Sequence, residues 1–423
     1  TLNPPPEPVA PVDFDFGRRA WFQQLGGIGY ATGRINNLAQ APPAPVGLRL
    51  WAGIDRLRTA VGARIRDALP GEEGTIAVAP ITGEQGGIPD RVTEAMRDAG
   101  LAHVLAISRL HMVIMAGSVF WLVRALLAGV PALALRYPIK KWAAVAALLA
   151  ATFYLVLSGA AVPTVRAHLM MGVVMIAVLL DRPAITMRNV ALAALAILAC
   201  SPESLFDTSF QMSFAAVIGL VAAYEALSFR ERAPAAETNA MWRRMRWTGG
   251  IVLGAGLTTL IAGAAVAPFA VYHFHRMTHF GIAPNVIVAP LISLLIMPMA
   301  LLSLLAMPFG LETWPLQAMG YGIGLMVGTA EWVASWRGAV TILPDLSSGW
   351  SLALIAFGAL WLCLWRTRWR ALGLVIAGLG LALAPPSSRP DVLIERDGKI
   401  AALRGGDRLI FPSATAASYS VEK

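Results

Sequence analysis

GLAHVLAISRLHMVIMAG, residues 100–117, is where this chain changes from mixed composition to a composition fit for hydrocarbon. About a hundred residues of ordinary character precede it, and apolar runs follow it almost to the C-terminus. The stretch carries His103, Ser108, Arg109 and His111 into an otherwise apolar segment. Ionisable groups are expensive in a bilayer and usually face a bundle interior or a water-filled path. We therefore expect the first helix of a membrane bundle here, with these residues in its functional lining. The alternative places them at the interface, snorkelling into headgroups.

Outward from that stretch, the bulk properties agree. Of 423 residues, 57% are hydrophobic and only 14% charged, and the mean hydropathy is +0.63. These values lie outside the soluble globular range and predict an all-α polytopic membrane protein. The net charge of +9 points first to cytoplasmic loops on anionic lipid and second to a nucleic-acid partner. Cys200 and Cys363 sit far apart in apolar runs, with no CxxC or Cys/His cluster, and read as inert buried thiols. The opening TLNPPPEPVAP lacks an initiator Met and a signal peptide, so we expect a piece of a longer protein.

The chain divides into four regions. Residues 1–48 are Pro- and Gly-rich around FDFGRRAWFQQLGGIGYATGRI (14–35), read as a short helix followed by a strand. Residues 49–100 form an amphipathic, juxtamembrane helical region. In it, Leu50, Ile54, Leu57, Val61, Ile65 and Leu69 keep helical spacing between five arginines. That helix suits a membrane surface or a packed position on the bundle. A polar helix follows over 89–99, opened by Pro89 and closed by Gly100.

Residues 101–386 hold about ten spans, roughly 103–128, 142–158, 161–180, 189–201, 209–228, 249–272, 280–308, 320–336, 349–365 and 371–384. The fourth is short and suits a tilted or re-entrant segment. Arginine and lysine concentrate in the odd-numbered loops, which the positive-inside rule assigns to the cytoplasm. Both ends of the chain then lie outside. Residues 387–423 form a short β-rich tail in which DG and GD turns separate strand-like runs.

Three further constellations could carry chemistry. In LSGAAVPTVRAHLMMG (157–172), Gly159 and Pro163 break the helix where Arg166 and His168 approach the apolar core. A broken helix with a buried cation can line an anion path, and a Pro-bounded loop with an interfacial Arg is the plainer reading. In SPESLFDTSFQMSF (201–214), Gln211 is the deepest strong hydrogen-bonding side chain and needs a partner, while Asp207 or Ser209 suits a helix cap.

In residues 266–298, the long apolar stretch is interrupted by Pro268, the HFHRMTH loop, Pro284-Asn285, Pro290 and Pro298. His275 and His279, four apart, would meet on one helical turn, but no carboxylate or Cys accompanies them, so we expect no metal site. Ser108 and His111 share a helix face without a third member or a GxSxG elbow. P-loop, GxGxxG and kinase motifs are missing, so no internal energy source, cofactor or catalytic residue is expected.

Four blocks in order, AGLAHVLAISRLHMVIMAG, LSGAAVPTVRAHLM, SPESLFDTSFQMSFAAVIGL and APFAVYHFHRMTHFGIAPNVIVAPLISLLIMP, together with TGEQGGIP upstream, resemble the ComEC-type DNA internalisation (competence) family of bacteria. They cover about residues 80 to 305. The resemblance implies an inner-membrane, multi-pass channel that passes single-stranded DNA into the cytoplasm. It also implies an extracytoplasmic OB-like domain ahead of the bundle, whose end Phe14–Ile35 resembles.

Implied partners are single-stranded DNA, membrane lipid, cytoplasmic DNA-handling or motor proteins and an external DNA receptor, with room for a homo-oligomer. His103, Ser108, Arg109, His111, Arg166, Asp207, Gln211 and Asn285 are the candidates for the DNA path. The family pattern reads SGLH where this chain has Ser108-Arg109-Leu110-His111, so a charge replaces a close-packing glycine. The HxHxDH ligands of the metallo-β-lactamase-like domain of some members are missing, and no nuclease activity is expected. A polytopic transporter of another substrate, or an intramembrane hydrolase using Ser108 and His111, are the competing expectations.

Overall fold

The apolar runs fold as helices, because a backbone surrounded by hydrocarbon must satisfy its own hydrogen bonds. The computed structural model describes residues 2–5, 15–29, 45–105, 109–228, 240–342, 349–384, 392–394, 401–405 and 408–410. Ahead of the main bundle come β1 (Leu2–Asn3), α1 (Phe16–Phe22), β2 (Ile28–Gly29), α2 (Val46–Ala68), α3 (Glu72–Thr82), α4 (Asp90–Asp98) and α5 (Ala102–Leu105). The bundle proper begins with α6 (Arg109–Ala128), α7 (Pro131–Arg136), α8 (Ile139–Leu157), α9 (Val162–Leu179), α10 (Met187–Cys200), α11 (Thr208–Ser228) and α12 (Ala240–Phe274). It continues with β3 (Arg276–Thr278), α13 (Ile282–Leu291), a π-helical turn (Ile292–Ile296), α14 (Met297–Ala306), α15 (Thr313–Ala334) and β4 (Val340–Ile342). α16 (Gly349–Leu364), α17 (Leu372–Ala382) and the strands β5 (Val392–Ile394), β6 (Ala401–Gly405) and β7 (Arg408–Ile410) close the chain.

Among the described residues, each expected span contains helix. Among the described residues, six stretches are long and apolar enough to cross a membrane: Leu110–Ala128, Ile139–Leu157, Val162–Leu179, Thr208–Ala226, Leu253–Phe274 and Ile282–Phe309. The protein is thus an all-α multi-pass membrane protein. The remaining four, of which only the fourth span is expected to be short, differ from these six. α10, α16 and α17 have 14, 16 and 11 residues, and 14 residues reach only about 21 Å. α15 has 22 residues but falls outside the six, and it packs against α2, α3, α4, α13 and α14.

Three expectations about local structure change. The first span begins at Arg109, and His103 lies on the separate short α5. Pro268 does not break α12, which continues to Phe274; neighbouring helices in a bundle can compensate for the one missing N–H. Pro284 sits in the first turn of α13, while Pro290 and Pro298 bracket the π turn, where the hydrogen-bond register shifts around the lost donors. Gly159 and Pro163 bound two helices, as expected: Gly159 has φ +76° in the 158–161 connection, and Pro163 opens α9.

The C-terminal half of α2, with α3 and α4, belongs to the core. Ile65, Ile76, Val78, Ile81, Val92 and Met96 share one buried cluster with Met112, Tyr154, Ile292, Leu316 and Ile323 of the later helices. α3 is buried along most of its length, so its last carbonyls need donors. Arg58 Nε and Nη2 donate to the Thr82 carbonyl at 3.2 and 2.9 Å, and the Tyr154 hydroxyl donates to the Pro80 carbonyl. The cation also complements the negative end of the helix. We expect Arg58→Met and Tyr154→Phe each to cost about 1–3 kcal/mol by stranding a buried carbonyl. Thermal unfolding in detergent micelles checks this, with the lipid-facing Leu149→Ala as a comparison.

On its polar side, α4 is tied down by Arg91 to Glu72 and Glu331, and by Arg276 to Glu94 and Asp98. At the far end, α16 and α17 form a tight antiparallel pair. A Cβ on Gly358 would lie 2.5 Å from the Gly373 carbonyl oxygen, and Gly373 meets the Gly358 carbonyl in the same way. Trp361 Nε1 donates to the Trp369 carbonyl at 3.0 Å and closes the turn between them. The tail strands β5, β6 and β7 make a three-stranded antiparallel sheet. β2 pairs with β1, and the rest of GIGYATGRI lies outside the described residues.

Candidate functional site

Three helix ends meet at one polar cluster. α9 and α11 begin there and α12 ends there. Arg166 lies one turn into α9, and its side chain is 5% exposed, so it cannot snorkel to water. A buried guanidinium needs a counter-charge, and Asp207, the residue before α11, supplies it. Arg166 Nη1 donates to Asp207 Oδ2 at 2.9 Å, and Nη2 donates to the Ser209 hydroxyl. The other carboxylate oxygen, Oδ1, accepts from the Ser209 backbone N–H and hydroxyl, both at 2.9 Å. Asp207 therefore caps α11 and neutralises Arg166 at once. Burial alone would raise the Asp207 carboxyl, but the Ser209 N–H, the Arg166 charge and the two side-chain hydrogen bonds hold it below the usual carboxylate range.

A second link lies half a turn along α11. Gln211 Nε2 donates to the Leu205 carbonyl at 3.0 Å, and Gln211 Oε1 pairs with His273 Nε2 at 2.8 Å. This is the partner that Gln211 required. Beneath the polar layer, Met170, Ala193, Ile197, Phe210 and Phe214 form a separate apolar cluster between α9, α10 and α11. The Phe210 and Phe214 rings are 4.4 Å apart. The polar groups thus sit on an apolar floor, whose low dielectric strengthens their mutual interactions. On the opposite side of α9 from Arg166, Thr164 Oγ1 and His168 Nδ1 are buried without a hydrogen-bond partner.

The other candidates stand apart. His111 is 2% exposed and borders a cavity of about 20 Å³ with Ile76, Pro80, Val104, Ile292, Ile323 and Met326. That volume admits about one water molecule. His103 is exposed on α5, and Asn285 Nδ2 donates to Thr259 Oγ1 at 2.7 Å between α13 and α12. Ser108 and the Arg109 side chain lie outside the described residues.

From His275 on, the HFHRMTH segment is not helical, so the one-turn spacing of His275 and His279 does not arise. Residues 276–278 pair with β4, His275 has φ +53°, and His279 Nε2 pairs with Thr341 Oγ1 at 2.8 Å. Among the described residues, no three His, Cys, Asp or Glu side chains gather to hold a metal. Cys200 is exposed and Cys363 half-buried, so only one of the two thiols is even partly withdrawn from the surface.

Sequence reasoning singled out Arg166, Asp207 and Gln211 but not their joining. It also set Ser209 down as a cap and assigned His273 no role. The available signal was polarity: each of these residues interrupts an apolar run at a helix end, and helices joined by short connections bring such ends together. Arg276 and Glu94 gave no comparable signal, because each lies in an ordinary polar context; Glu331 does interrupt an apolar run, in α15, and was not singled out.

The Competence protein family matches residues 81–369 of this chain. ComE operon protein 3 of Bacillus subtilis (strain 168) is 24% identical over 305 residues, which are 72% of this chain and 35% of that protein. Competence protein ComA of Neisseria gonorrhoeae is 32% identical over 157 residues, 37% of this chain and 22% of that protein. The aligned part thus spans about a third or less of either relative. No solved structure matches.

Proposed function

Because this chain belongs to the Competence protein family, we propose that it forms the helical wall of an inner-membrane channel passing single-stranded DNA into the cytoplasm. The observation that carries this reading is the Arg166–Asp207–Ser209 network at the entrance of α9 and α11. A buried cation in a membrane bundle is costly and usually serves a path. A phosphodiester offers the guanidinium the same paired oxygens as a carboxylate. In this reading, each arriving phosphate displaces Asp207 from Arg166 and then moves on. Asp207 restores the pair behind it and keeps the path closed when no strand is present.

The chain acts as a path and not as a catalyst. Movement of the strand is supplied by cytoplasmic motor or DNA-handling proteins, and delivery by an external receptor. The test is entry of labelled DNA into the cytoplasm of a transformable host whose own channel is deleted, complemented by the full-length protein containing this chain. Uptake should be restored, and Arg166→Gln should reduce it about tenfold or more, the worth of one charged phosphate contact. Arg109→Gly should keep or raise uptake. If both the parent and Arg109→Gly leave DNA outside while present in the membrane, a transporter of another substrate becomes the better reading.

A further inference from the structure

α2 carries one continuous apolar stripe with two different surroundings. Val46, Leu50, Ile54, Leu57, Val61 and Ile65 follow at helical spacing along one side of the helix. Val61 and Ile65 are buried in the core, at 7% and 0% exposure. Toward the N-terminus the same stripe emerges: Leu57 is 47% exposed, and Leu50 and Val46 are both 64% exposed. Trp51 is 54% exposed beside them. Arg49 and Arg56 flank the stripe and are also exposed.

Arg58 fixes the depth at which this happens. Its guanidinium lies against Gly159, where an added Cβ would come 2.8 Å from Arg58 Cζ. Gly159 belongs to the 158–161 connection, where the spans Ile139–Leu157 and Val162–Leu179 both end. A short turn between two spans marks the membrane–water boundary. The helix therefore leaves the protein at that boundary, with apolar side chains on one side and arginines beside them.

We propose that the segment Val46–Leu57 is an interfacial helix that lies in the plane of an anionic phospholipid bilayer. Its stripe faces the acyl boundary, and Arg49 and Arg56 meet lipid phosphates. Amphipathic basic helices bind in this way, and each arginine near an anionic surface adds to the attraction. The anionic bilayer is favoured over a protein partner by charge: the segment's one carboxylate, Asp55, is paired with Arg58, which leaves the exposed Arg49 and Arg56 as its uncompensated charges.

The test uses the whole chain with Cys200→Ser and Cys363→Ser, reconstituted in vesicles of phosphatidylcholine and phosphatidylglycerol. Nitroxide labels are placed singly at Leu50→Cys and Leu57→Cys on the stripe, and at Asp55→Cys and Thr59→Cys on the opposite side. Labels at 50 and 57 should collide more often with oxygen than with a water-soluble nickel chelate, and those at 55 and 59 the reverse. Arg49→Gln with Arg56→Gln should reduce the oxygen preference in these vesicles more than in phosphatidylcholine alone. Val46→Cys repeats the measurement if a central label disturbs folding. Equal access to nickel at all positions would overturn the proposal. So would labels at 50 and 57 shielded from both reagents, since that pattern means cover by another part of the chain or by a second copy.

Discussion

Asp207→Asn should destabilise the protein by about 3 kcal/mol, because it leaves Arg166 buried without its counter-charge. The lower end of the range for broken buried pairs applies. Arg166 is 5% exposed, but Asp207 is 37% exposed and partly screened by water. Arg166→Gln alone should cost less, since an ionised Asp207 retains the Ser209 N–H and hydroxyl and some solvent. The double variant Asp207→Asn, Arg166→Gln should recover part of the loss, as expected when two groups answer chiefly to each other. Thermal unfolding of the four proteins in one detergent forms the cycle. Equal and additive losses would mean that the pair is incidental.

The same pair sets a pH dependence. The Asp207 carboxyl is held below its ordinary range in the folded protein, so the unfolded chain takes up its proton first as pH falls. Its stabilisation is complete above the ordinary carboxylate range and disappears as pH drops through the lowered folded value. The Asp207→Asn variant should therefore lose less stability than the parent between neutral and strongly acidic pH.

Gly358→Val should be more damaging locally, with a loss of about 3 kcal/mol or more at the α16–α17 pair. The Cβ of any larger residue meets the Gly373 carbonyl and the Ala377 backbone nitrogen, at 2.5 and 2.6 Å. Backbone atoms cannot rotate aside, so the two helices must separate. Gly378→Val serves as the control, because nothing lies within 4 Å of a Cβ there. Trypsin cleavage after Arg366, Arg368 and Arg370, in the turn between the helices, reads the outcome. Cleavage in membranes should speed up markedly for Gly358→Val and stay near the parent rate for Gly378→Val.

The two predictions separate what could be read at each level. Composition and run length were sufficient for the class, since hydrocarbon leaves the backbone almost no choice but the helix. Pro163, Gly159 and the β-rich tail were legible because turn chemistry is local. Pro268 misled for the converse reason: a proline signals a lost hydrogen bond, but only the surrounding bundle decides whether the helix survives it. His275 and His279 had helical spacing without a helix, because pairing with Val340–Ile342, more than sixty residues away, pulled the segment into a strand.

The candidate site divides along the same line. That Arg166, Asp207 and Gln211 would be costly in an apolar run, and so would need partners, follows from the residues alone. That Arg166 finds Asp207, and Gln211 finds His273, was decided by packing across 41 and 62 residues of chain. The amino-acid sequence by itself determined a multi-pass helical membrane protein with polar residues at certain helix ends, because desolvation acts on each residue separately. Only the tertiary structure decided which of those ends meet and that α3 and α4 enter the core. It also decided how far α2 is buried, because pairing and burial depend on neighbours that the chain brings together only by folding.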